Sequence, residues 1–419
     1  MIDVRMSTPL TRRDALAAWA AFLPTVGSYA HRRNQVEPLH RNVSRLSAAL
    51  RYRTLTEDEV VRDTLRTHEF HAVEKWLQEI CWRRYWKGWL EMRSDVWRKW
   101  RKRVRELNAT LPDPIRQRAR AVAAGESGVA CMDAIARELI ATGYLHNHAR
   151  MWWASYWIHV ERLPWELGAD WFFRHLLDAD PASNTLSWRW VAGLQTPGKT
   201  YLVRKSNIEK YAPDLLLRDG AGSDRLADGA VAPVVATECA NTARQALPEW
   251  PTTMPRSQRR IGLWLHADDL LPEAGPLAEL TPVTVAAFSS EYRYRHHYAL
   301  SDLRIAALDD VLADGLARAA AHFRCPTALN QDADAAVSIA QWAEAHTLDE
   351  VAAFAPTVGP IADLVPRLRQ ILTSRGIKLT LVRRPSDAHA FTLAGSGFFP
   401  FWEKMSRDLR QQSNLSDAS

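Results

Sequence analysis

Apolar residues recur at helical spacing through the first half of the chain and gather into short blocks in the second. Residues 12–22 (RRDALAAWAAF) read as an amphipathic helix. So do residues 130–142, where Met132, Ile135 and Leu139 fall at i, i+3 and i+7. Residues 72–91 and 147–160 are longer helical runs carrying several Trp. No strand pattern interrupts this half, which predicts an all-helical domain over 1–218. Residues 219–258 are rich in Gly, Ala, Pro and Asp and read as a linker, with one short helix near Glu238–Leu247. After Arg260 the period changes. Ile261–Leu265, Val283–Phe288 and Ile377–Val382 are apolar blocks of strand length, and Leu308–Phe323 and Ile361–Ser374 read as helices among them. Strands alternating with helices predict a doubly wound parallel-sheet α/β domain over 259–405. The polar end, 406–419, reads as a flexible tail. The expected fold class is α plus α/β, with the helical domain first.

Composition narrows this only in places. With 47% hydrophobic and 24% charged residues, the chain is globular rather than disordered. A formal charge of +6 is compatible with a polyanionic partner without demanding one. Cys81, Cys131, Cys239 and Cys325 form no C-x-x-C pair, so no metal site and no disulfide framework is expected. No apolar window reaches membrane-span length and no signal-peptide core opens the chain, so no membrane role is expected and a cytoplasmic location is. Neither G-x-G-x-x-G nor a Walker sequence appears in the second half, which removes the usual phosphate-loop reason for a nucleotide there.

The chemistry concentrates between Thr142 and Trp190. A helix carrying Asn147, Arg150 and Met151 is followed by the acidic turn Asp178, Asp180, Asn184 and then by Trp188-Arg189-Trp190. Buried charges need partners and buried indoles need acceptors. A polar-aromatic core of this kind suits a large planar cofactor. Upstream, ten Lys/Arg between Arg83 and Arg105 are interleaved with Trp97 and Trp100. That run reads either as a grip on a phosphate backbone or as a solvated helix face.

Several motifs in order resemble the photolyase/cryptochrome flavoprotein family over most of residues 25–212. They are Tyr29, the stretch Ser44-Arg45-Leu46-Ser47, the helix Trp76-x-x-Glu79-x-x-Trp82-Arg83, the Asn147/Arg150/Met151 helix, the Asp178/Asp180/Asn184 turn and the Trp188-x-Trp190 pair. Val43 stands where the family usually has Thr, Arg204-Lys205-Ser206-Asn207 lacks the usual Pro, and His148 replaces a frequent Arg. In the second half, Ile261–Leu270 resembles the family's first strand and residues 394–403 resemble the segment that leads into its FAD domain. Since those normally come first, the chain resembles a circularly permuted member.

The resemblance implies FAD as cofactor. Tyr29, Ser44, Arg45, Leu46 and Ser47 would hold its phosphates and ribose. Trp76, Arg83, Asn147, Arg150, Asp178, Asp180 and Asn184 would surround the rest. Glu79, Trp82, Asn147, Met151 and Trp190 would line the cavity for a flipped pyrimidine dimer, and Asn184 would face the flavin N5. Trp188 and Trp165 would belong to the tryptophan chain that photoreduces the flavin, with Trp97, Trp100, Trp153 or Trp157 open as its third member. The implied activity is light-driven repair of cyclobutane pyrimidine dimers in UV-damaged DNA, a carbon–carbon lyase reaction. The alternative is a cryptochrome-type blue-light receptor with a protein signalling partner. A third is a flavin-binding scaffold without activity. An antenna chromophore, folate or deazaflavin, stays open, as does the oligomeric state.

Overall fold

The computed structural model describes residues 8–196, 199–217, 220–234, 243–255, 258–289, 298–331, 334–395 and 397–416. The helices are α1 (Arg12–Phe22), α2 (Tyr29–Arg32), α3 (Ser47–Tyr52), α4 (Glu57–Thr67), α5 (Phe70–Glu91), α6 (Asp95–Thr110), α7 (Asp113–Ala124), α8 (Ala130–Thr142), α9 (Asn147–Ser155), α10 (Trp165–His175), α11 (Pro181–Val191), α12 (Lys205–Tyr211) and α13 (Pro213–Leu217). Five strands follow, interleaved with helices: β1 (Ile261–Leu265), β2 (Thr284–Phe288), α14 (Asp302–Phe323), β3 (Thr327–Asn330), α15 (Ala335–Ala345), β4 (Glu350–Phe354), α16 (Pro360–Ser374), β5 (Lys378–Val382), α17 (Pro385–Leu393) and α18 (Phe398–Ser416). The fold is α plus α/β, with every described strand after residue 260.

The chain forms two compact units, each assembled from separated segments. Among the described residues, the first contains Ser28–Ser44 and Arg93–Arg244; the second contains Pro9–Gly27, Arg45–Met92 and Gln245–Ser419. Helices α1 and α3 to α5 therefore belong to the unit that holds the sheet.

In the first unit, α6 and α8 to α11 carry the core. Trp97, Trp100, Trp152, Trp153, Trp157 and Trp188 are fully buried in it. Helix α8 ends at Gly143, whose φ of 66° is the left-handed conformation a helix C-terminus favours. Asp180 caps α11, its Oδ1 accepting from the Ser183 N–H at 2.8 Å, with Pro181 in the first turn. The run expected as one helix over 147–160 is α9 followed by a π-helical turn, Tyr156–Val160. Gly168 lets two helices close up, because a Cβ there would collide with the Trp188 ring and crowd Trp157.

In the second unit the sheet is parallel, in the order β3-β2-β1-β4-β5. Strands β1, β2 and β4 are buried throughout, which explains their continuous apolar sequence. The order reverses between β1 and β4, and the crevice at the carboxyl ends of strands at such a point is where open α/β sheets usually take ligands. Here protein side chains fill it. His266 Nε2 donates to the Phe354 carbonyl at 2.8 Å. Asp269 accepts from Arg384 at 2.7 and 2.8 Å and from Arg53 at 2.9 Å, while Arg53 also donates to Asp387 at 2.6 Å. Burial opposes the Arg53 charge, but Asp387, Glu57 and Asp269 outweigh it and hold its pKa well above the usual value.

Two expectations need correction. Residues 406–416, read as part of a polar tail, continue α18, because Phe401, Trp402, Met405 and Leu409 make a buried stripe at helical spacing. Of the short linker helix near Glu238–Leu247, residues 235–242 lie outside the described residues, and 243–255 have no regular structure. Strands β3 and β4 and helix α15 had not been read from the sequence. β3 is an exposed edge strand without alternation, and β4 (EVAAF) has two small Ala in five residues.

Candidate functional site

The expected site residues are divided between the two units. The first unit holds Tyr29, Ser44, Asn147, Arg150, Met151, Trp165, Asp178, Asp180, Asn184, Trp188 and Trp190; the second holds Arg45, Leu46, Ser47, Trp76, Glu79, Trp82 and Arg83.

In the first unit, α9 and the turn before α11 build a tight polar pair. Arg150 Nη1 and Nη2 donate to the two oxygens of Asp178 at 3.0 and 2.9 Å, and its Nε donates to the Leu145 carbonyl at 2.9 Å. Burial works against the Arg150 charge, yet Asp178 outweighs it and raises the guanidinium pKa. Asn184 is buried, and its amide nitrogen donates to the Ala169 carbonyl at 2.9 Å. Its side-chain carbonyl is then the group left to accept. Asn147 is exposed and its amide approaches the Met151 sulfur at 3.7 Å, one turn along α9. Trp190 is half-buried against Tyr201, with ring centroids 5.7 Å apart. Tyr29 and Ser44 are half-buried.

Three histidines brace the start of α9. His146 Nδ1 accepts from the His148 N–H at 3.2 Å and so caps the helix. His148 Nδ1 donates to the Asn34 carbonyl at 2.7 Å, and its ring lies on Trp152 at 5.5 Å. His40 Nε2 meets Glu138 at 2.8 Å, and its ring stacks on His146 at 5.9 Å. Burial, with His40 and His148 alongside, pushes the His146 imidazole down to about 3. His148, at a position where the family often has a phosphate-binding Arg, faces inward.

Around Trp188 the aromatic packing is dense. Trp153 meets it edge to face at 6.2 Å, and Phe172 does so at 5.0 Å. Trp153 also stacks on Trp171 at 4.4 Å and packs against Trp157 at 5.2 Å. Trp165 lies under the Arg189 guanidinium, 6.0 Å from its ring centre. Trp97 and Trp100 pair with each other at 5.2 Å and pack on Phe173.

In the second unit, two expected residues far apart in sequence meet. Arg83 Nη2 donates to the Ser47 carbonyl at 3.2 Å. The Ser47 hydroxyl and Arg83 Nη1 are buried without a protein partner. Such donors suit an anion, so this pair fits a cofactor phosphate. Arg45 and Leu46 lead into α3, Arg45 with a φ of 57°. Trp76 is a core side chain, stacked on Trp19 at 5.9 Å and donating to Thr64 Oγ1 at 3.2 Å. Glu79 pairs with Lys75 at 3.5 Å. Trp82 is covered face to face by Phe398, with centroids 3.6 Å apart and planes 7° apart. Nothing in the local sequence pattern pointed to Phe398 at this place.

Of the basic run, Arg84, Lys87 and Arg101 are buried, and Arg101 pairs with Asp170 at 2.5 Å. Arg98, Lys99, Lys102, Arg103 and Arg105 are exposed along α6. Among the described residues no cluster of His, Cys, Asp and Glu could hold a metal ion, and no helix is long and apolar enough to cross a membrane.

Residues 76–214 match the family model for the FAD binding domain of DNA photolyase. Over those residues the chain is similar to the photolyase/cryptochrome family. It is 28% identical over 230 residues to a deoxyribodipyrimidine photo-lyase of Neurospora crassa, covering 49% of this chain and 35% of the relative. To the deoxyribodipyrimidine photo-lyase of Salmonella typhimurium it is 32% identical over 131 residues, covering 30% and 26%. Among solved structures it is similar to a bacterial class III photolyase from Agrobacterium tumefaciens, with TM-score 0.42, 26% identity and coverage of 50% of this chain and 44% of the other. The chain thus spans about a third or less of the length of these two curated relatives.

Proposed function

We propose that this protein holds FAD and uses light to move an electron, and that its substrate is a cyclobutane pyrimidine dimer flipped out of DNA. The observations that carry the reading are the bidentate pair of half-buried Arg150 with buried Asp178, and buried Asn184, whose amide nitrogen is already committed to Ala169. That leaves Asn184 Oδ1 to accept from the N5–H of a reduced flavin. Asp180, which caps α11, would meet the polar edge of the ring. In the second unit, Ser47 and Arg83 would donate to a phosphate, with Arg45 and Leu46 leading into that helix and Trp76 supporting it from the core. FAD supplies the excited-state electron; the protein binds, orients and excludes water.

For the substrate, the residues carried over from the resemblance are Trp82, to pack a base, and Glu79, to hydrogen-bond or protonate it, in the second unit, and Asn147, Met151 and Trp190 in the first. Flipping is cheaper for a damaged base, which contributes to selectivity. The exposed cations of α6 would take the phosphate backbone. Relatives named deoxyribodipyrimidine photo-lyase support this reading. The placing of the helical half before the α/β half is read as a circular permutation.

A specific observation favours a second reading, a blue-light receptor that signals to a protein. Phe398 occupies the Trp82 face that a dimer would need, and Lys75 occupies Glu79. One assay separates the two: light-dependent loss of dimers from an oligonucleotide, on protein with a flavin spectrum. Loss of dimers supports repair. Photoreduction without dimer loss sinks repair and leaves the receptor.

A further inference from the structure

We infer that the segment 245–251 is a clasp over the end of α5, held while Glu91 is neutral and loosened when Glu91 takes its charge. No cofactor takes part, so the clasp stands apart from the proposed photochemistry.

Two backbone bonds make the clasp. The Gln245 N–H donates to the Met92 carbonyl at 2.8 Å, and the Arg383 N–H donates to the Pro251 carbonyl at 2.8 Å. Its anchors are therefore the residue after Glu91 and Arg383 itself. Met92 and Gln245 are also where the chain leaves the second unit and returns to it. Between the anchors the backbone has no regular structure; Ala246, Pro248 and Glu249 are exposed, and Leu247 and Trp250 are half-buried.

The ion pair at these anchors is half made. Glu91 and Arg383 are both buried. Arg383 Nη2 donates to Glu91 Oε1, while Glu91 Oε2 and Arg383 Nε are buried without a partner among the described residues. A carboxylate oxygen with no donor is costly to bury, and a carboxylic acid in the same place costs less. Asp387, on α17, adds a second negative charge, itself shared with Arg53 and Arg84. Lys87 lies one turn back on α5. Burial, which outweighs the attraction of Arg383 and is helped by Asp387, pushes the Glu91 carboxyl up to about 7.

The side free to yield is the segment. On the other side α17 packs backbone-close on α5, since a Cβ on Gly88 would lie 2.8 Å from the Phe391 Cα. Opening lets water reach Glu91, which then titrates near the ordinary value of about 4.3. The closed clasp holds the proton more tightly. Opening therefore grows as pH rises from about 4.3 to about 7 and levels off above that, where Glu91 is charged in both forms.

The test is hydrogen exchange of the full chain, read at single residues from about pH 5 to 8 and corrected for the intrinsic rate. Protection of the Gln245 and Arg383 amides should fall by up to about tenfold per pH unit between about 5 and 7, then level off. Amides of β4 should not follow. In Glu91→Gln, which cannot ionise, the fall should vanish and protection should stay at the acid level. In Arg383→Gln, which removes the opposing cation, the fall should continue above about pH 7. An equal fall in parent and Glu91→Gln, or parent protection that does not change with pH, overturns the clasp. If Glu91→Gln does not fold, Arg383→Gln decides, and a loss of protection equal at every pH overturns it.

Discussion

Phe398 lies flat on Trp82, 3.6 Å between ring centroids, with Tyr85 edge-on to both rings. The contact joins the first turn of α18 to the middle of α5. It covers the one aromatic face in this unit assigned to a flipped base. Replacing Phe398 with Leu keeps most of the volume and should cost about 1.5 kcal/mol or less. Under the repair reading, Phe398→Leu should raise the rate of dimer loss and perturb Trp82 fluorescence. A fluorescence change with unaltered repair would show that Phe398 does not obstruct the substrate.

Breaking the Arg150–Asp178 pair should cost more than the pair contributes. Asp178→Asn leaves the half-buried guanidinium an amide in place of a carboxylate, and hydrogen bonds to charged groups are worth about 1.5–3 kcal/mol. Urea unfolding should show that loss, and the purified variant should carry less flavin absorbance at 1:1 loading. Normal loading and stability would remove Asp178 from the cofactor site.

Gly168 permits the approach of Trp188 and Trp157. Gly168→Ala should destabilise the first unit by about 1–3 kcal/mol through overpacking. It should also shift the near-UV circular dichroism, because Trp188 has to move. Retained stability with an unchanged spectrum would mean that the helices separate freely there.

His146 gives a pH dependence whose sign follows from its neighbours. In the fold it is pushed down to about 3 by burial, His40 and His148, with Arg150 adding to the repulsion. In the unfolded chain it titrates near the ordinary value of about 6.5. As pH falls through that value the unfolded state takes up the proton first. Stability is therefore complete above about pH 6.5 and declines below it, by up to about 1.4 kcal/mol per pH unit. His148 shifts the same way, so the contribution of His146 is read by difference. His146→Asn keeps a helix-capping acceptor and should flatten the decline measured by urea unfolding between about pH 7 and 5. An equal decline in parent and variant would refute the assignment.

In the second unit, Asp269→Ala should be more damaging than any surface change. It takes the carboxylate that Arg384 and Arg53 share, leaving Arg53 with Asp387 and Glu57, for a loss of about 3–5 kcal/mol by thermal or urea melting.

Local patterns were legible where one rule dominated. The periodicity of residues 12–22 and 130–142 gave α1 and α8 their bounds, because each buries a simple stripe against its own unit. That Arg150 and Asp178 belong to one site came from the family resemblance, not from a local pattern. Strands β3 and β4 were not, because four or five residues carry too little pattern to separate a strand from a loop. The π-helical turn at Tyr156–Val160 was hidden inside an ordinary helical sequence.

The sequence by itself determined the fold class and the list of chemical groups: local periodicity and motif spacing are properties of neighbouring residues. Tertiary structure alone decided which groups meet. It laid Phe398 on Trp82, set Arg83 beside Ser47, and stacked Trp153 on Trp171 while Arg189 claimed Trp165. Each of these joins different elements of the chain, and only packing, which acts through space without regard to sequence separation, brings such residues into contact.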